Sequence, residues 1–280
     1  MSNPKIAFFG TPEFAVIVLE ELKEKGYKSS LIVTQPDTKQ GRKLILTPPP
    51  TKLWAEKNNI KVIQPENLNR QISDLNKKFD LFIIASYGKI IPKSIVEMPK
   101  YGSLNVHPSL LPKYRGSSPI ENMILNDEKE IGVTIMLMDE KMDHGPIISQ
   151  KKLDIPNWPI DEPTLHNILA HEGGKMISET IEPWIKEGIK TREQNHDEAG
   201  FTKKIEKQDG EINLDNDSYT NYLKFLAFKK WPRTFFFIQR KNKKIRVVIT
   251  EAKYGDGLVI EKVIPEGKKE MNYQDFLRGI

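Results

Sequence analysis

The stretch that decides the fold stands near the start of the chain, where residues 5–14 read KIAFFGTPEF. Lys5–Phe9 is a short apolar run typical of a buried strand, and Gly10-Thr11-Pro12 follows as a turn. Phe14–Lys25 then repeats its apolar residues at helical spacing. The turn lacks the G-x-G-x-x-G spacing that a dinucleotide pyrophosphate needs, so we interpret it as a plain strand–helix connection.

The same alternation of strand and helix patterns continues toward the middle of the chain. Leu81–Ala85 is apolar throughout, as expected of a strand covered on both faces. A βαβ succession of this kind predicts an α/β fold with a parallel sheet covered by helices. The further predicted strands are Ser30–Thr34, Lys61–Ile63, Ser103–His107 and Val133–Met138, and the further predicted helices are Thr51–Asn58, Asn67–Lys78 and Ile160–Lys186, the last with breaks at Pro163 and Pro183.

The C-terminal part of the chain has a different pattern. We predict a first domain over residues 1–188, a polar and aperiodic linker over 189–204, and a second, β-rich domain over 205–280. The second domain is near the lower size at which a domain is stable alone. Its predicted elements are a helix near Ser218–Phe228 and strands at Phe235–Gln239, Ile245–Thr250 and Leu258–Val263, with turns at Asn242, Gly255–Gly257 and Gly267.

Composition excludes several classes of protein. With 280 residues, 38% hydrophobic and 29% charged, the chain suits one large or two modest folded domains. No apolar run approaches the ~20 residues that span a bilayer, and the N-terminus lacks the pattern of a signal or transit peptide. The absence of cysteine excludes disulfides, thiolate metal sites and cysteine nucleophiles. We therefore expect a cytoplasmic protein without a membrane partner.

The net charge of +5 is unevenly distributed along the chain. Residues 201–280 hold 17 Lys and Arg against 11 Asp and Glu, a net of +6, so the first 200 residues carry −1. Residues 221–250 contain nine basic residues and no acidic one. This excess indicates either a polyanionic partner for the C-terminal region or a solvated basic face.

The densest chemical signal is Asn105–Gly116, which reads NVHPSLLPKYRG. Strand alternation places Asn105 and His107 on the same face, where an amide donor and an imidazole can stabilise an oxyanion and move a proton. Asp143 follows a predicted buried strand and could orient His107 or relay a proton, or it could simply form a turn. His144 beside it has no third ligand at suitable spacing, so we predict no metal site.

A long segment between predicted elements, residues 35–50, carries Arg42 and Lys43 at its middle and closes with three prolines. Loops of this length are unusual in compact domains unless they are functional. A basic loop at the ligand edge of a sheet could bind a phosphate-bearing substrate; the alternative is a mobile surface excursion.

Taken together, these motifs make the chain similar to the folate-dependent formyltransferases over nearly its whole length. The Asn-x-His-x-Ser-Leu-Leu-Pro block with a downstream Asp is highly specific for that family. Trp231-Pro232, the two-domain length and the closing segment favour the branch that acts on tRNA. The matching segments are FFGTPEFA (8–15), TQPD (34–37) with Gly41-Arg42, Ala85–Gly88, the NVHPSLLPKYRG block, SPI (118–120), GVTIMLMDEKMDHGPI (132–147) and GKKEMNYQDFLRG (267–279).

The resemblance implies a Rossmann-like catalytic domain followed by a small OB-like domain that contacts tRNA. It implies transfer of the formyl group of 10-formyltetrahydrofolate to the amino group of methionyl initiator tRNA, for translation initiation, by a monomer that needs no metal. The C-terminal barrel looks abbreviated, because three strands are clear and a full OB barrel has five. The implied site residues are Asn105, His107 and Asp143 for catalysis, Ser109, Leu110, Leu111 and Pro112 for folate, and Arg42 with Lys43 for tRNA.

Two other functions are compatible with parts of the sequence. A folate-dependent N-formyltransferase acting on an amino-sugar nucleotide would use the same Asn-His-Asp chemistry, but nine uncompensated cations suit an RNA backbone better than one small nucleotide. A non-catalytic RNA-binding protein would explain the basic region and leave Asn105, His107 and Asp143 without a role. We therefore favour the tRNA enzyme.

Overall fold

The protein was described from a computed structural model, which covers residues 3–41, 43–68, 75, 79–240 and 243–279. The chain divides into two compact units. The first comprises Met1–Ser117, Glu130–Leu153 and His166–Phe201, and the second comprises Ser118–Lys129, Asp154–Leu165 and Thr202–Ile280. Ser118–Lys129 and Asp154–Leu165 therefore precede the predicted 189–204 linker in the sequence but belong to the second unit. None of the helices in the described ranges is both long and apolar enough to cross a membrane.

The first unit is built on a mixed seven-stranded sheet. In spatial order its strands are β10 (Ile147–Leu153), β9 (Ile131–Leu137), β7 (Ser103–His107), β6 (Leu81–Ala85), β1 (Ile6–Gly10), β2 (Ser29–Val33) and β5 (Lys61–Ile63). The five strands from β7 to β5 are parallel, as predicted, and β9 and β10 are antiparallel to their neighbours. Four short strands form two further two-stranded sheets: β3 (Thr38–Gln40) with β4 (Ile45–Thr47), and β8 (Arg115–Gly116) with β11 (Phe201–Thr202).

The parallel strands form the core because every residue of β1, β6 and β7 is buried. The Phe9 and Phe82 rings, on neighbouring strands, have centroids 5.0 Å apart. β10 was not predicted, since its outer half, QKKL, is polar and partly exposed, which is typical of an edge strand. A short connection from β9 can only return antiparallel, which explains the change of direction at this edge.

Helices cover the sheet as the alternation predicts. The predicted breaks in the long helix are absent: α5 runs unbroken, with Pro163 in its first turn, where a missing N–H is tolerated, and Pro183 near its end. Most of the predicted helix Asn67–Lys78 lies outside the described residues. The helices are α1 (Glu13–Glu24), α2 (Pro50–Lys57), α3 (Lys93–Val96), α4 (Pro119–Leu125), α5 (Glu162–Ile185), α6 (Ser218–Ala227) and α7 (Tyr273–Arg278), with 3₁₀ turns at His196–Glu198 and Lys207–Gly210.

The second unit contains one antiparallel sheet of four strands in the order β12-β13-β14-β15, which confirms the predicted β-rich character. The three predicted strands are present, and the two residues of β15 add a fourth. The predicted helix is α6, whose N-cap Asp217 accepts a hydrogen bond from the Thr220 N–H. Its strands are β12 (Phe235–Arg240), β13 (Lys243–Tyr254), β14 (Leu258–Pro265) and β15 (Met271–Asn272).

The loops at one edge of the parallel sheet are tied together. The Thr11 hydroxyl, after β1, and the Gln35 amide, after β2, both donate to the Tyr87 carbonyl, after β6, at 3.0 and 2.8 Å. Gly10 allows this close approach, because a Cβ there would lie 2.8 Å from the Ala85 carbonyl oxygen. The carboxyl ends of parallel strands are where open α/β sheets bind ligands, and β7 ends at the same edge.

Candidate active site

Strand β7 delivers two of the predicted catalytic side chains. Asn105 and His107 are both buried, 8% and 4% exposed, and lie two residues apart on one face of the strand. Antiparallel pairing with β9 sets Asn105 opposite Met136 and His107 opposite Thr134. Asn105 is also paired with Ile84 of β6, so the sheet holds this part of β7 on both sides and makes it a rigid support for chemistry.

The third predicted residue, Asp143, reaches this strand because the β9–β10 connection folds back on itself. Gly145 makes the fold possible, since a Cβ there would lie 2.0 Å from the Leu137 carbonyl oxygen. Asp143 has a φ of 48°, in the left-handed region that few residues other than glycine adopt. Strained backbone of this kind is concentrated at functional sites, where surrounding contacts hold it in place.

The structure brings Asn105, His107 and Asp143 together. The Asn105 amide donates to Asp143 Oδ1 at 3.3 Å, and the Gly116 N–H donates to Asp143 Oδ2 at 2.8 Å. His107 Nδ1 lies 3.6 Å from Asp143 Oδ1, which is ion-pair distance but longer than a hydrogen bond. One amide hydrogen of Asn105 is therefore used by Asp143, and the other has no partner among the described residues, so it can donate to a ligand.

The orientation of His107 is set by the backbone. His107 Nε2 lies 2.9 Å from the Tyr114 carbonyl oxygen, and Tyr114 has a φ of 60°. A carbonyl oxygen only accepts, so Nε2 carries a proton in this contact. Nδ1 is then the ring nitrogen that faces Asp143, and it is the one available to exchange a proton.

The predicted folate segment, Ser109–Pro112, is held by a network of hydrogen bonds beside this cluster. Thr134 Oγ1 donates to the Ser109 carbonyl at 2.7 Å and accepts from the Leu111 N–H at 3.1 Å. The Gln150 amide donates to the Leu111 carbonyl at 2.8 Å. Ser109 and Leu111 are buried, whereas Leu110 and Pro112 are partly exposed. The loop is thus rigid, with two apolar side chains left on its accessible side.

Two further residues of this site, Arg115 and Gln194, were missed by sequence reasoning. Gln194 belongs to the predicted linker, yet it is 5% exposed, and its amide donates to the Asp143 and Gly145 carbonyls at 3.0 and 2.7 Å. Its Oε1 accepts from Arg115 Nε and Nη2 at 3.1 and 2.6 Å. Gln194 therefore fixes the backbone on both sides of His144. In the sequence Gln194 stands in an aperiodic polar segment, and that position is the only signal the sequence offers for it.

Two histidines, His144 and His196, stack beside this network. Their ring centroids are 4.0 Å apart, with an interplanar angle of 5°. His144 Nδ1 lies 2.6 Å from Asp139 Oδ2, and His196 Nδ1 accepts from Arg115 Nη2 at 2.9 Å. Burial lowers the pKa of Arg115, while Asp143 and Asp139 act in the opposite direction. No group of three residues in the described ranges has the arrangement of metal ligands.

The predicted basic loop contains the hairpin formed by β3 and β4. Lys43 is exposed on the turn between β3 and β4, and Arg42 lies outside the described residues. Leu44 in the turn and Ile45 and Leu46 at the start of β4 are also exposed, each more than 60% accessible. The structure therefore makes the loop a short hairpin with an apolar and basic tip, where the sequence predicted an irregular segment.

The fold and this cluster define a formyltransferase. The family model described as formyl transferase matches residues 4–181. A 4-N formyltransferase from Francisella tularensis superposes with a TM-score of 0.67 at 22% identity, covering 89% of this chain and 99% of that one. HypX from Aquifex aeolicus in complex with tetrahydrofolic acid superposes with a TM-score of 0.64 at 16% identity, covering 99% of this chain and 47% of that one. At these identities the two structures show the fold alone.

A curated relative identifies the branch. The methionyl-tRNA formyltransferase of Halalkalibacterium halodurans is 39% identical, with 98% of this chain and 94% of the relative covered. The chain therefore belongs to the methionyl-tRNA formyltransferase family, as the sequence motifs predicted.

Proposed function

We propose that this enzyme transfers the formyl group of 10-formyltetrahydrofolate to the free amino group of methionyl initiator tRNA. The observation that carries the proposal is the Asn105–His107–Asp143 cluster at the ligand edge of the sheet, in a chain 39% identical over 98% of its length to a methionyl-tRNA formyltransferase. In this proposal the catalytic residues lie within 1–188, residues 205–280 contact the tRNA and 189–204 joins the two parts, while Ser118–Lys129 and Asp154–Leu165 group with the C-terminal unit. The predictions of a monomer and of a cytoplasmic location remain part of this proposal.

Asn105 is the main oxyanion donor in this scheme. When the methionyl amine attacks the formyl carbon, negative charge develops on the formyl oxygen. The amide hydrogen of Asn105 that Asp143 does not use is free to donate to that oxygen. A donor fixed in a buried position before the reaction needs no reorganisation, which is why such groups contribute strongly to catalysis.

His107 and Asp143 share the proton chemistry. The proton on His107 Nε2 is held by the Tyr114 carbonyl, so transfer proceeds through Nδ1. His107 Nδ1 lies 3.6 Å from Asp143 Oδ1, so the carboxylate faces the ring nitrogen that exchanges the proton. Asp143 thus holds the site in place through Asn105 and Gly116 and supports the movement of a proton from the attacking amine to the folate nitrogen.

In this proposal the folate segment, Ser109–Pro112, binds the aromatic ring of the folate co-substrate. The partly exposed Leu110 and Pro112 offer apolar contact, while Ser109 and Leu111 keep the loop in shape through their internal hydrogen bonds. The Ser109 hydroxyl donates to the Lys113 carbonyl at 2.7 Å and is therefore engaged within the loop. The folate co-substrate supplies the activated formyl group, and the Ser109–Pro112 segment forms its binding site.

The tRNA would contact the hairpin tip and the basic C-terminal region. Lys43 is exposed at the tip, and Arg42 precedes it in the sequence. Nine basic residues without an acidic one over 221–250 suit a phosphate backbone, whose binding by Lys and Arg releases counterions. Affinity for tRNA is therefore expected to fall steeply with added salt.

The test is a formylation assay with two acceptors. The full chain is incubated with 10-formyltetrahydrofolate and either methionyl initiator tRNA or an amino-sugar nucleotide, and the N-formyl product is measured at several salt concentrations. We expect product with the tRNA alone and a KM for tRNA that rises with salt. Formylation of the sugar alone would refute the proposal.

A further inference from the structure

The second unit contains a small cavity that the proposed chemistry does not use. Its volume is about 80 Å³, and it lies where the end of α6 meets β13. Its aromatic floor is formed by Phe225 and Phe228. The polar lining consists of Lys229, Arg233, Thr234 and Thr250, with Ile249 between them. A cavity of this size holds a few atoms, so its ligand is a small group or one part of a larger molecule.

Two cations line this cavity, Lys229 and Arg233, and a third, Arg246, lies outside the lining but near enough to repel Arg233. Arg233 lowers the pKa of both Lys229 and Arg246 by like-charge interaction, although burial is the larger cause in each case. Lys229 Nζ lies 4.0 Å from the centre of the Phe225 ring, and the Arg246 guanidinium lies 3.7 Å from that of Phe235. The aromatic rings hold the charges in place without neutralising them.

The backbone of Arg233, at the cavity, also has an unfavourable conformation. Its φ is 67°, in the left-handed region, although the residue carries a long side chain. Gly210 packs directly against it, since a Cβ at Gly210 would lie 2.3 Å from the Arg233 carbonyl oxygen. A strained residue held this firmly suggests that its position matters for binding.

Two buried polar atoms have no hydrogen-bond partner within the described ranges: Thr250 Oγ1, which lines the cavity, and Arg246 Nε, which lies outside the lining but on the same strand, β13. Both atoms are donors, and an unpaired buried donor is destabilising unless a ligand satisfies it. The acidic groups that act on these cations are Asp161 and Glu251 on Lys229, and Glu266 on Arg246. None of the three forms an ion pair with Lys229, Arg233 or Arg246 in the part of the chain that is described.

We propose that this cavity, termed the Arg233 pocket (Lys229, Arg233, Thr234 and Thr250), binds one phosphate group of the RNA backbone. A phosphate offers negative charge to Lys229 and Arg233, and it offers an acceptor oxygen to the Thr250 hydroxyl, whose oxygen has no hydrogen-bond partner within the described ranges. The inference rests on the proposed function, because it takes the RNA to be the tRNA substrate. Within that function it assigns the C-terminal unit one defined contact rather than diffuse attraction.

The test compares tRNA binding by three variants of the full chain over a range of salt, from about 50 to about 200 mM. Arg233→Ala is expected to weaken binding about tenfold and to lower the magnitude of the salt slope by about 1. Thr250→Val keeps the shape and the charge, so it should weaken binding while leaving the salt slope unchanged. Lys253→Ala, which removes an exposed cation paired with Glu261 at 2.7 Å, is the matched control and should change binding little.

Thermal stability separates a binding role from a structural one. If the Thr250 hydroxyl is an unpaired buried group that contacts no phosphate, Thr250→Val should raise the Tm and leave tRNA binding unchanged. This result would overturn the proposal. Equal losses in the Arg233→Ala and Lys253→Ala variants would also overturn it, because they indicate diffuse attraction. The proposal would also be overturned if inorganic phosphate bound in the pocket while Arg233→Ala left the affinity for tRNA unchanged.

The failure of the proposed function is distinguishable from the failure of this inference. The wild-type chain is assayed for formylation of methionyl initiator tRNA in the same buffers. Absence of product in the wild type would refute the function. Normal product, with the same KM in the wild type and in Arg233→Ala, would refute the pocket alone.

Discussion

The candidate active site and the Arg233 pocket differ in whether their buried polar groups have hydrogen-bond partners within the protein. In the active site Asn105, His107 and Asp143 each have a partner within the protein. In the second unit Thr250 Oγ1 and Arg246 Nε have none among the described residues. The first region is thus organised before any ligand arrives, whereas the second is completed by one. Sites that do chemistry gain from the first arrangement, and sites that capture a charged group tolerate the second.

The largest expected effect would come from Asp143, which anchors the preorganised region. Asp143→Asn keeps an acceptor oxygen for the Gly116 N–H but removes the charge next to His107. We expect kcat to fall by ~10²–10⁴, with KM for tRNA little changed, because proton transfer loses its support. Steady-state kinetics measure both values. Glu140→Gln, an exposed carboxylate paired with Lys93, is the control, and an equal loss there would contradict the assignment.

Next in size is the loss of the oxyanion donor. Asn105→Ala removes the amide that donates to Asp143, together with the hydrogen left for the formyl oxygen. A fall in kcat of ~10²–10³ is expected in single-turnover assays. Asn122→Ala removes an amide hydrogen bond of the same kind, to the Ser118 carbonyl, and should leave kcat unchanged. Normal turnover in Asn105→Ala would remove Asn105 from the mechanism.

A smaller effect is expected from Gln194, which supports the site without facing the reaction. Gln194→Leu loses the bonds to the Asp143 and Gly145 carbonyls and to Arg115. We expect kcat to fall about 10- to 100-fold, as for a misplaced catalytic group. Gln194→Glu keeps an acceptor for Arg115 but cannot donate to the two carbonyls. If Glu restores kcat, the role of Gln194 is to hold Arg115 rather than the Asp143 loop.

The stability of the second unit should depend on pH through Glu162. Burial raises the pKa of Glu162 to about 7, with Glu121 and Asp161 adding to the shift and Lys230, 3.8 Å away, opposing it. The folded state then holds a proton that the unfolded state releases near its ordinary pKa of 4.5. The free energy of unfolding should therefore decrease as pH rises from about 4.5 to about 7.

Glu162→Gln tests this expectation, because it removes the titrating group but keeps its shape. Urea unfolding of the wild type at several pH values should show a loss of up to about 1.4 kcal/mol per pH unit in that range, and the variant should have a flatter profile. Glu97→Gln, at an exposed ion pair with Lys93, is the control. A variant profile parallel to that of the wild type would mean that Glu162 is ionised throughout.

Local patterns in the sequence identified the βα units, the parallel sheet and the Asn105, His107 and Asp143 set. Period-2 and period-3.6 spacing report which backbone a segment adopts, and these depend on neighbouring residues alone. The resemblance supplied the roles of the three residues. The antiparallel strand β10 and the unbroken α5 were not foreseen, since edge position and tolerance of proline depend on what each element packs against.

The sequence by itself determined the class of fold, the chemistry-bearing motif and the location of the excess charge. Only the tertiary structure decided how these groups meet. Gln194 bonds to Arg115 across 79 residues, the Asn105 amide reaches Asp143 across 38, and His107 is oriented by a backbone carbonyl. Contacts of this range are set by the packing of strands and loops that are distant in sequence, and no local spacing records them.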